Sequence, residues 1–207
     1  VVTVVGGAKI STKIALIENL IEQVDFIIIG GAMANTFLFS KGFSVGRSLV
    51  EESLKPTALR ILNKAEKYSC EIILPTDLVI AKELSENTPT LVVSANKCPE
   101  KYMILDAGPS TVDNIQKCIN SAKTLLWNGP LGVFEFSNFA NGTIKLGTFI
   151  AQSTSAGAFS LVGGGDSVAA VKLFGFENKM SYISTGGGAM LESLEGKTLP
   201  GIAALKK

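Results

Sequence analysis

The chain has 207 residues, of which 46% are hydrophobic and 18% are charged, and its formal net charge is +1. This length and composition suit one large α/β domain or two small ones, and they exclude a disordered or purely solvated chain. A net charge this close to zero predicts no general electrostatic attraction to nucleic acid or to a membrane surface.

The sequence contains no histidine and three scattered cysteines, Cys70, Cys98 and Cys118. The absence of histidine excludes a Ser-His-Asp triad, a histidine zinc site and a histidine general base within this chain. Chemistry must therefore rely on lysine, carboxylate, hydroxyl groups, backbone amides or a bound metal. Because the cysteines are odd in number and no signal peptide or bilayer-length apolar run is visible, we expect a cytoplasmic protein without disulfides.

Six short apolar runs follow one another along the chain, and most of them stop at glycine, proline or asparagine: VVTVV, FIII, EIIL, TLLW, SLV and SYIS. Amphipathic patterns typical of helices separate them, among them STKIALIENLIEQV, for which Ser11 or Thr12 is the expected N-cap. ESLKPTALRILNKAEKY and STVDNIQKCINSA predict two further helices. The less regular segment 88–103 predicts a small edge strand and a loop.

Short strands that alternate with helices indicate βαβ units, and strands that are apolar at consecutive positions indicate a sheet covered on both faces. The sequence therefore predicts an α/β fold: a doubly wound, mainly parallel, six-stranded and Rossmann-like sheet with helices on both faces. Because the chain enters its first strand at Val1 without a preceding Met, we expect it to be a piece of a longer protein.

The glycine clusters of the sequence come directly after predicted strands. In an open parallel sheet, ligands bind beyond the carboxyl ends of the strands. Helix N-termini at that edge offer free amides and a partial positive charge. The edge therefore suits an anionic ligand.

Two lysines, Lys9 and Lys13, follow the double glycine at the end of the first run. Gly6 and Gly7 carry no Cβ, so we expect them to let the backbone approach a ligand closely. Lysine is unfavourable at the positive N-terminus of a helix, and two lysines there indicate an anion between them. The alternative is that both are solvated surface lysines.

Two further glycine clusters precede predicted helices. In LVGGGDSVAAV, Asp166 is either the N-cap of the helix or a carboxylate that holds Mg²⁺ together with phosphate oxygens. In ISTGGGAMLESL, Ser184, Thr185 and the amides of residues 186–188 form either a phosphate cradle or a flexible turn with a capped helix.

The fourth run continues as NGPLGVFEF, in which Phe134 offers an apolar face and Glu135 an acceptor for two sugar hydroxyls. The alternative places Phe134 in the core and leaves Glu135 solvated. Two nucleotide motifs are absent: the P-loop, because GGAKISTK has the wrong order, and the dinucleotide fingerprint G-x-G-x-x-G with its downstream acid. A dinucleotide-dependent oxidoreductase domain and a non-catalytic phosphate-binding scaffold remain as alternative functions.

Seven motifs, in order and with their spacing, resemble the C-terminal, nucleotide-binding domain of the phosphoglycerate kinase family: GGAKISTKI (6–14), IIIGGAMANTF (27–37), LPTDLVIA (74–81), LDAGPST (105–111), LWNGPLGVFEF (126–136), GGGDSVAA (163–170) and ISTGGGAMLESLEGKTLPG (183–201). The resemblance covers essentially the whole chain. It implies the family reaction of glycolysis, the reversible transfer of a phosphoryl group between ATP and the carboxylate of 3-phosphoglycerate, which gives ADP and 1,3-bisphosphoglycerate.

Carried over by position, the resemblance implies a site for ATP or ADP with Mg²⁺. Lys13 would neutralise the transferring phosphoryl group, Lys9 would support the α- and β-phosphates, and Asp166 would coordinate the metal. The residues expected to act in catalysis are Lys9, Lys13, Gly165, Gly186 and Gly187. Those expected at the phosphates or the metal are Lys9, Lys13, Gly164, Gly165, Asp166 and Ser167. Ala8, Asn128 and Pro130 are also expected to bind the nucleotide. Those expected around the adenine and ribose are Gly31, Ile104, Leu105, Gly129, Leu131, Phe134 and Glu135.

The same resemblance divides the chain into a nucleotide-binding domain, residues 1–195, and a C-terminal segment, residues 196–207, which in the family packs on an N-terminal domain. We find no second basic cluster in the sequence for the phosphate of 3-phosphoglycerate, so we expect that missing domain to hold this substrate. The isolated chain is therefore expected to bind MgADP or MgATP without turnover. The full-length protein is expected to be a monomer that binds neither nucleic acid nor membrane.

Overall fold

The structure, a computed structural model, describes residues 1–197. From residue 198 onward, the C-terminal segment expected to pack on a further domain lies outside the described residues. The strands are β1 (Val2–Gly6), β2 (Phe26–Gly30), β3 (Glu71–Ile73), β4 (Asp77–Ala81), β5 (Leu91–Ser94), β6 (Met103–Ala107), β7 (Thr124–Asn128), β8 (Phe159–Val162) and β9 (Tyr182–Ile183). The α-helices are α1 (Ile14–Leu20), α2 (Met33–Ser40), α3 (Lys55–Lys67), α4 (Pro109–Ser121), α5 (Asn141–Ser155), α6 (Gly165–Leu173) and α7 (Gly187–Leu194).

A six-stranded sheet with the order β3-β2-β1-β7-β8-β9 forms the centre of the molecule. Every neighbouring pair in it is parallel, which confirms the predicted doubly wound α/β fold. The chain runs outward from β1 to β3, returns to the centre, and runs outward again from β7 to β9. The reversal makes a topological switch point between β1 and β7, which is where open α/β sheets bind their ligands.

Apolar side chains fill two cores, one on each face of this sheet. Val4 and Trp127 face the core formed with α4, α5 and α6, whereas Val5 and Ile29 face the core formed with α1, α2 and α3. Since both faces are covered, successive strand positions are apolar, as the sequence pattern predicted. In the part of the chain that the structure describes, no helix is long and apolar enough to cross a membrane.

A second sheet of three antiparallel strands, with the order β5-β4-β6, packs beside α2. The small edge strand expected within 88–103 is present as β5, which pairs with β4 alone. The sheet as a whole was not predicted. Its strands β4 and β6 are distant in the sequence, and no local sequence pattern indicates that they pair. Leu78 and Ile80 of β4 pack on Leu38 of α2 and form a third core.

Two buried aspartates of the second sheet cap helices of the main sheet. Asp77 in β4 accepts hydrogen bonds from the backbone N–H groups of Ser110 and Thr111 in the first turn of α4, at 2.9 and 2.7 Å. Asp106 in β6 accepts one from the backbone N–H of Gly142 in the first turn of α5, at 2.8 Å. Neither helix receives a side-chain hydrogen bond from its own N-cap residue. The aspartates therefore satisfy free helix amides and hold the two sheets together.

The start of α1 differs from the prediction. Neither Ser11 nor Thr12 is its N-cap, because both lie in a short 3₁₀ helix, Ile10–Thr12, that precedes it. The Thr12 hydroxyl donates to the carbonyl oxygen of Lys9 at 2.9 Å, so this side chain stabilises the turn rather than the helix end. Lys13 occupies the N-cap position and makes no side-chain cap.

Candidate functional site

A cavity of about 360 Å³ opens at the carboxyl edge of the six-stranded sheet, beside the switch point. Its size is in the range that takes a small molecule or a cofactor. Eight of the residues predicted for the site line it: Ala8, Gly31, Ile104, Leu105, Pro130, Leu131, Glu135 and Asp166.

The wall opposite the main sheet was missed by sequence reasoning. It is built by Leu78 of β4, Met103 of β6 and the loop residues Ser48 and Leu49. The Ser48 hydroxyl accepts a hydrogen bond from the backbone N–H of Ile104 at 2.8 Å, which fixes this loop on β6. These side chains reach the cavity only because the second sheet packs there, so no local signal in the sequence marks them.

The loops after β1 and β7 touch through their backbones. An ideal Cβ on Gly6 would lie 2.1 Å from the carbonyl oxygen of Pro130, and one on Gly129 would lie 2.2 Å from that of Gly6. The expectation that Gly6 makes room for a ligand is wrong, because protein backbone fills that space. Gly7 has open space at its Cβ position and a φ of 145°, so it fits the prediction better.

The N-termini of α6 and α7 lie side by side. An ideal Cβ on Gly187, the first residue of α7, would lie 3.1 Å from the backbone nitrogen of Gly164, the N-cap of α6. Gly165 and Gly186 have nothing within 4 Å of their Cβ positions. Packing within the described chain therefore does not require glycine at these two positions. Two converging helix N-termini with open amides are an arrangement that suits an anion.

Lys13 lies at the start of α1, and its side chain is half-buried. Its ammonium group donates a hydrogen bond to the side-chain oxygen of Asn128. Burial lowers the pKa of Lys13 below its usual value, and the negative charges of Asp166 and Glu195 partly oppose that shift. The side chain is therefore held near the start of α6 while its charge is poorly solvated, which favours a nearby anion. Lys9 is exposed and immediately precedes the 3₁₀ helix.

Asp166 and Ser167 occupy different environments at the start of α6. Asp166 is exposed, lines the cavity and lies two residues after the N-cap Gly164, so the alternative that it is the N-cap is wrong. Ser167 is 1% exposed, and its hydroxyl accepts a hydrogen bond from the backbone N–H of Gly129 at 2.6 Å. This hydrogen bond supports the loop after β7. The resemblance implied that Ser167 lies along the phosphates, and that stays a prediction.

Asn128, Gly129 and Phe134 are buried and do not line the cavity. Phe134 is buried and meets the ring of Phe174 edge-on, with 6.1 Å between the ring centroids. The alternative that Phe134 belongs to the core is therefore the one that the structure supports. Glu135, in contrast, is exposed and lines the cavity, and its role toward sugar hydroxyls stays a prediction.

The site can hold a metal ion only if a bound ligand supplies some of the atoms that coordinate the metal. No group of three or more His, Cys, Asp or Glu within residues 1–197 is arranged to hold a metal. Asp166 offers one exposed carboxylate beside the converging helix N-termini. One or two carboxylates with phosphate oxygens and water are the usual ligands of Mg²⁺, so Asp166 suits a magnesium–phosphate complex.

Comparison with known proteins agrees with these features. The sequence profile of the family described as "Phosphoglycerate kinase" matches residues 1–197. A phosphoglycerate kinase of Jannaschia sp. (strain CCS1) is 52% identical over 207 residues, which are 100% of this chain and 52% of that protein. One of Chloroflexus aurantiacus is 50% identical over 205 residues, which are 99% of this chain and 51% of that protein.

Two solved structures have the same fold. The phosphoglycerate kinase of Coxiella burnetii is 45% identical, with a TM-score of 0.96, and the match covers 99% of this chain and 52% of that one. The enzyme of Pyrococcus horikoshii OT3 is 31% identical, with a TM-score of 0.82 and coverage of 99% and 51%. The chain thus spans about half the length of these relatives. The sequence match, the fold and the cavity at the switch point lead to one conclusion: the chain belongs to the phosphoglycerate kinase family.

Proposed function

We propose that residues 1–195 are the C-terminal, nucleotide-binding domain of a phosphoglycerate kinase. The complete protein would transfer a phosphoryl group reversibly between ATP and the carboxylate of 3-phosphoglycerate. One observation carries the assignment to the nucleotide half. An apolar cavity at the switch point lies beside two converging helix N-termini and Lys13. An adenine base needs the apolar cavity, and a polyphosphate needs the helix N-termini and the positive charge.

The nucleotide lies in this site with its base in the apolar cavity and its phosphates toward α6 and α7. Glu135, at the exposed rim, accepts hydrogen bonds from the ribose hydroxyls. Ala8 and Gly31 line the cavity, and a flat base would lie against them. The amides at the starts of α6 and α7 donate to phosphate oxygens.

Phosphoryl transfer requires alignment of the reactants and neutralisation of the equatorial oxygens, with little covalent chemistry by the protein. Lys13 supplies a positive charge that Asn128 orients, and Lys9 adds a second one nearer the solvent. The free amides at Gly165, Gly186 and Gly187 contact the transferring group. When bound, Mg²⁺ neutralises phosphate charge, and Asp166 holds it. The attacking carboxylate of the substrate is already ionised at neutral pH, so the absence of histidine is no obstacle.

The chain by itself is proposed to bind nucleotide without turnover. The described site accommodates one polyphosphate, and the binding of 3-phosphoglycerate is assigned to the further domain. The two alternative functions are less well supported. An oxidoreductase domain conflicts with the family match and the missing fingerprint. A non-catalytic scaffold does not explain why Asp166 is exposed beside open helix amides.

Calorimetric titration with MgADP tests the proposal. We expect saturable binding that weakens when a chelator removes Mg²⁺, and no comparable binding of NADH. Asp166→Ala is expected to remove most of the Mg²⁺-dependent affinity, whereas Asp113→Ala, at an exposed position of α4, serves as the matched control. Tight NADH binding with weak ADP binding would overturn the proposal, and an unchanged Asp166→Ala variant would favour a scaffold. Robust turnover by the isolated chain in a coupled assay would refute its proposed inactivity.

A further inference from the structure

The first turn of α5 connects two walls of the cavity without lining the cavity itself. Gly142 and Thr143 are buried in this turn, and neither belongs to the cavity lining. Part of the lining comes from two segments, which we call the β6 wall (residues 104–106) and the loop wall (residues 130–133, after β7). The first turn of α5 forms a hydrogen bond with each of them.

Gly142 is anchored to the β6 wall. Its backbone N–H donates to the Oδ2 atom of Asp106 at 2.8 Å, and an ideal Cβ on Gly142 would lie 2.3 Å from the Oδ1 atom of the same carboxylate. Oδ1 in turn accepts from the backbone N–H of Ala107 at 2.8 Å, so both oxygens of the carboxylate are engaged. The helix therefore starts in direct contact with β6, and no side chain fits between them.

Thr143 is anchored to the loop wall. It is 0% exposed, and its hydroxyl accepts a hydrogen bond from the backbone N–H of Leu131 at 3.2 Å. The carbonyl oxygen of Leu131 accepts from the backbone N–H of Gly31 at 3.0 Å, so both sides of this residue are held. Because Leu131 is 5% exposed, its N–H would gain little water if the hydroxyl were removed, and a buried donor without an acceptor is unfavourable.

The two walls also contact each other. The backbone N–H of Val133 donates to the carbonyl oxygen of Leu105 at 2.9 Å, and an ideal Cβ on Gly132 would lie 2.3 Å from Oδ1 of Asp106. The anchors of the walls on α5 are adjacent residues of one helix. They therefore cannot move relative to each other unless the first turn of the helix unwinds.

We propose that Thr143 is a positioning residue for the nucleotide, whose hydroxyl holds the loop wall at a fixed distance from the β6 wall. The inference rests on the proposed nucleotide function and adds to it a residue outside the cavity on which binding depends. Thr143 acts through the backbone of Leu131 and does not touch the ligand. A wall that is already in place binds more tightly than one that must be ordered when the ligand arrives, so loss of the hydroxyl weakens binding.

Two substitutions separate the hydroxyl of Thr143 from its packing. Thr143→Val keeps the branched shape but lacks the acceptor, whereas Thr143→Ser keeps the hydroxyl but lacks the methyl group. In calorimetric titrations with MgADP, we expect Thr143→Val to bind about tenfold more weakly than the unmodified chain and Thr143→Ser to stay within about twofold of it. The opposite order would show that Thr143 contributes packing alone, and unchanged affinity in both variants would equally overturn the inference.

Thr148→Val, in the same helix, is the matched control. The Thr148 hydroxyl donates to the carbonyl oxygen of Ile144 at 2.8 Å, so its hydrogen bond stays within α5. We expect this variant to bind MgADP as the unmodified chain does. A loss as large as that in Thr143→Val would mean that removing either hydroxyl of α5 has the same effect, and the specific role of Thr143 would be wrong.

Amide hydrogen exchange in the unmodified chain keeps the test independent of whether Thr143→Val folds. If release of the loop wall abolishes binding, saturating MgADP has to slow exchange of the Leu131 amide, because the ligand binds the closed form alone. The amide of Ala122, which donates to the carbonyl oxygen of Ile119 at the end of α4, is expected to keep its rate. An unchanged rate at Leu131, or equal slowing at Ala122, would overturn the inference. Failure of MgADP to bind at all would instead refute the proposed function, so the two failures are distinguishable.

Discussion

The ammonium group of Lys13, at the start of α1, donates a hydrogen bond to the side-chain oxygen of Asn128, at the end of β7. The side-chain nitrogen of Asn128 in turn donates to the carbonyl oxygen of Gly163 at 2.8 Å, immediately before α6. A neutral amide therefore orients the lysine. Within residues 1–197 the ammonium group forms no salt bridge, so its charge is available to an anionic ligand.

The first prediction concerns the titration of Lys13. Burial lowers its pKa, and the charge of Asp166 partly opposes this. We expect Lys13 to titrate below the usual lysine range and Asp166→Asn to lower its pKa further, measured by ¹³Cε or ¹⁵Nζ NMR against pH. Since the folded-state pKa lies below the unfolded one, the cost of burying this charge is full at low pH and decreases as the pH rises through the folded-state value.

Asp113→Asn, at an exposed site of α4, is the control for that experiment and should leave the Lys13 titration unchanged. ADP is expected to raise the pKa of Lys13, because phosphate charge stabilises the ammonium form. A Lys13 pKa that does not change in Asp166→Asn would show that the carboxylate and the ammonium group are not electrostatically coupled.

The main sheet was predictable because each of its strands is apolar at consecutive positions and stops at a marked turn. Trp127 and Ile28 belong to such runs, and both pair with Val4 of β1. The second sheet was not predictable in the same way. Its strands β4 and β6 pair only through long-range contacts, and Leu78 and Met103 reach the cavity as a result.

The glycines of the site also show what a sequence pattern cannot predict. Gly6 and Gly165 both follow strands and look equivalent in the sequence. In the structure, the carbonyl oxygen of Pro130 excludes a side chain at Gly6, whereas open space surrounds Gly165. A pattern identifies where glycine stands, but it does not tell whether the protein or a ligand requires it. The lining residue Asn35 was missed because only the folded chain brings α2 to the cavity.

The second prediction tests the cap that joins the two sheets. Asp77→Ala leaves the backbone N–H groups of Ser110 and Thr111 without their acceptors. We expect the free energy of unfolding to fall by about 2 kcal/mol, as for the loss of a helix cap with buried donors. Urea denaturation followed by circular dichroism measures this. Asp113→Ala, an exposed aspartate of the same helix, should stay within about 0.5 kcal/mol of the unmodified chain, and a similar loss in both variants would contradict the prediction.

The third prediction concerns pH. Burial raises the pKa of Asp106 to about 7, although hydrogen bonds from the backbone N–H groups of Gly142 and Ala107 oppose this shift. The pKa of an unfolded aspartate is about 4. Between about pH 4 and pH 7, Asp106 therefore carries a proton in the folded state but not in the unfolded state. The stabilisation that this group contributes is therefore complete below about pH 4 and is lost as the pH rises through about 7.

Asp106→Asn removes this titration while keeping one acceptor oxygen. Its side-chain NH₂ group would face a backbone N–H group, so we expect the variant to be less stable than the unmodified chain at pH 5, by about 1–3 kcal/mol. The difference should shrink above pH 7, where the unmodified carboxyl is ionised. Urea midpoints at pH 5, 6, 7 and 8 measure this difference. A stability difference that grows with pH would mean that the hydrogen bonds from the two backbone N–H groups outweigh the effect of burial. The carboxylate of Asp106 would then be ionised throughout this pH range.

The fourth prediction separates glycines that serve the fold from those that serve a ligand. In Gly6→Ala, the new methyl group overlaps the carbonyl oxygen of Pro130, and we expect a loss of about 3 kcal/mol or more in unfolding free energy. In Gly165→Ala, the methyl group meets nothing within 4 Å. Because alanine is the better helix former, the melting temperature should stay the same or rise slightly.

The same Gly165→Ala variant is expected to bind MgADP about tenfold more weakly or worse. In the proposed orientation of the nucleotide, its methyl group would stand where a phosphate approaches the first amides of α6. Calorimetry on the folded variant measures this affinity. Gly188→Ala is the companion variant, because its Cβ position is also open but Gly188 is the second residue of α7, whereas Gly165 is the first residue of α6. Unchanged affinity in Gly165→Ala would place the phosphates away from the start of α6. The converging helix N-termini would then be a packing arrangement, and the orientation proposed for the nucleotide would be wrong.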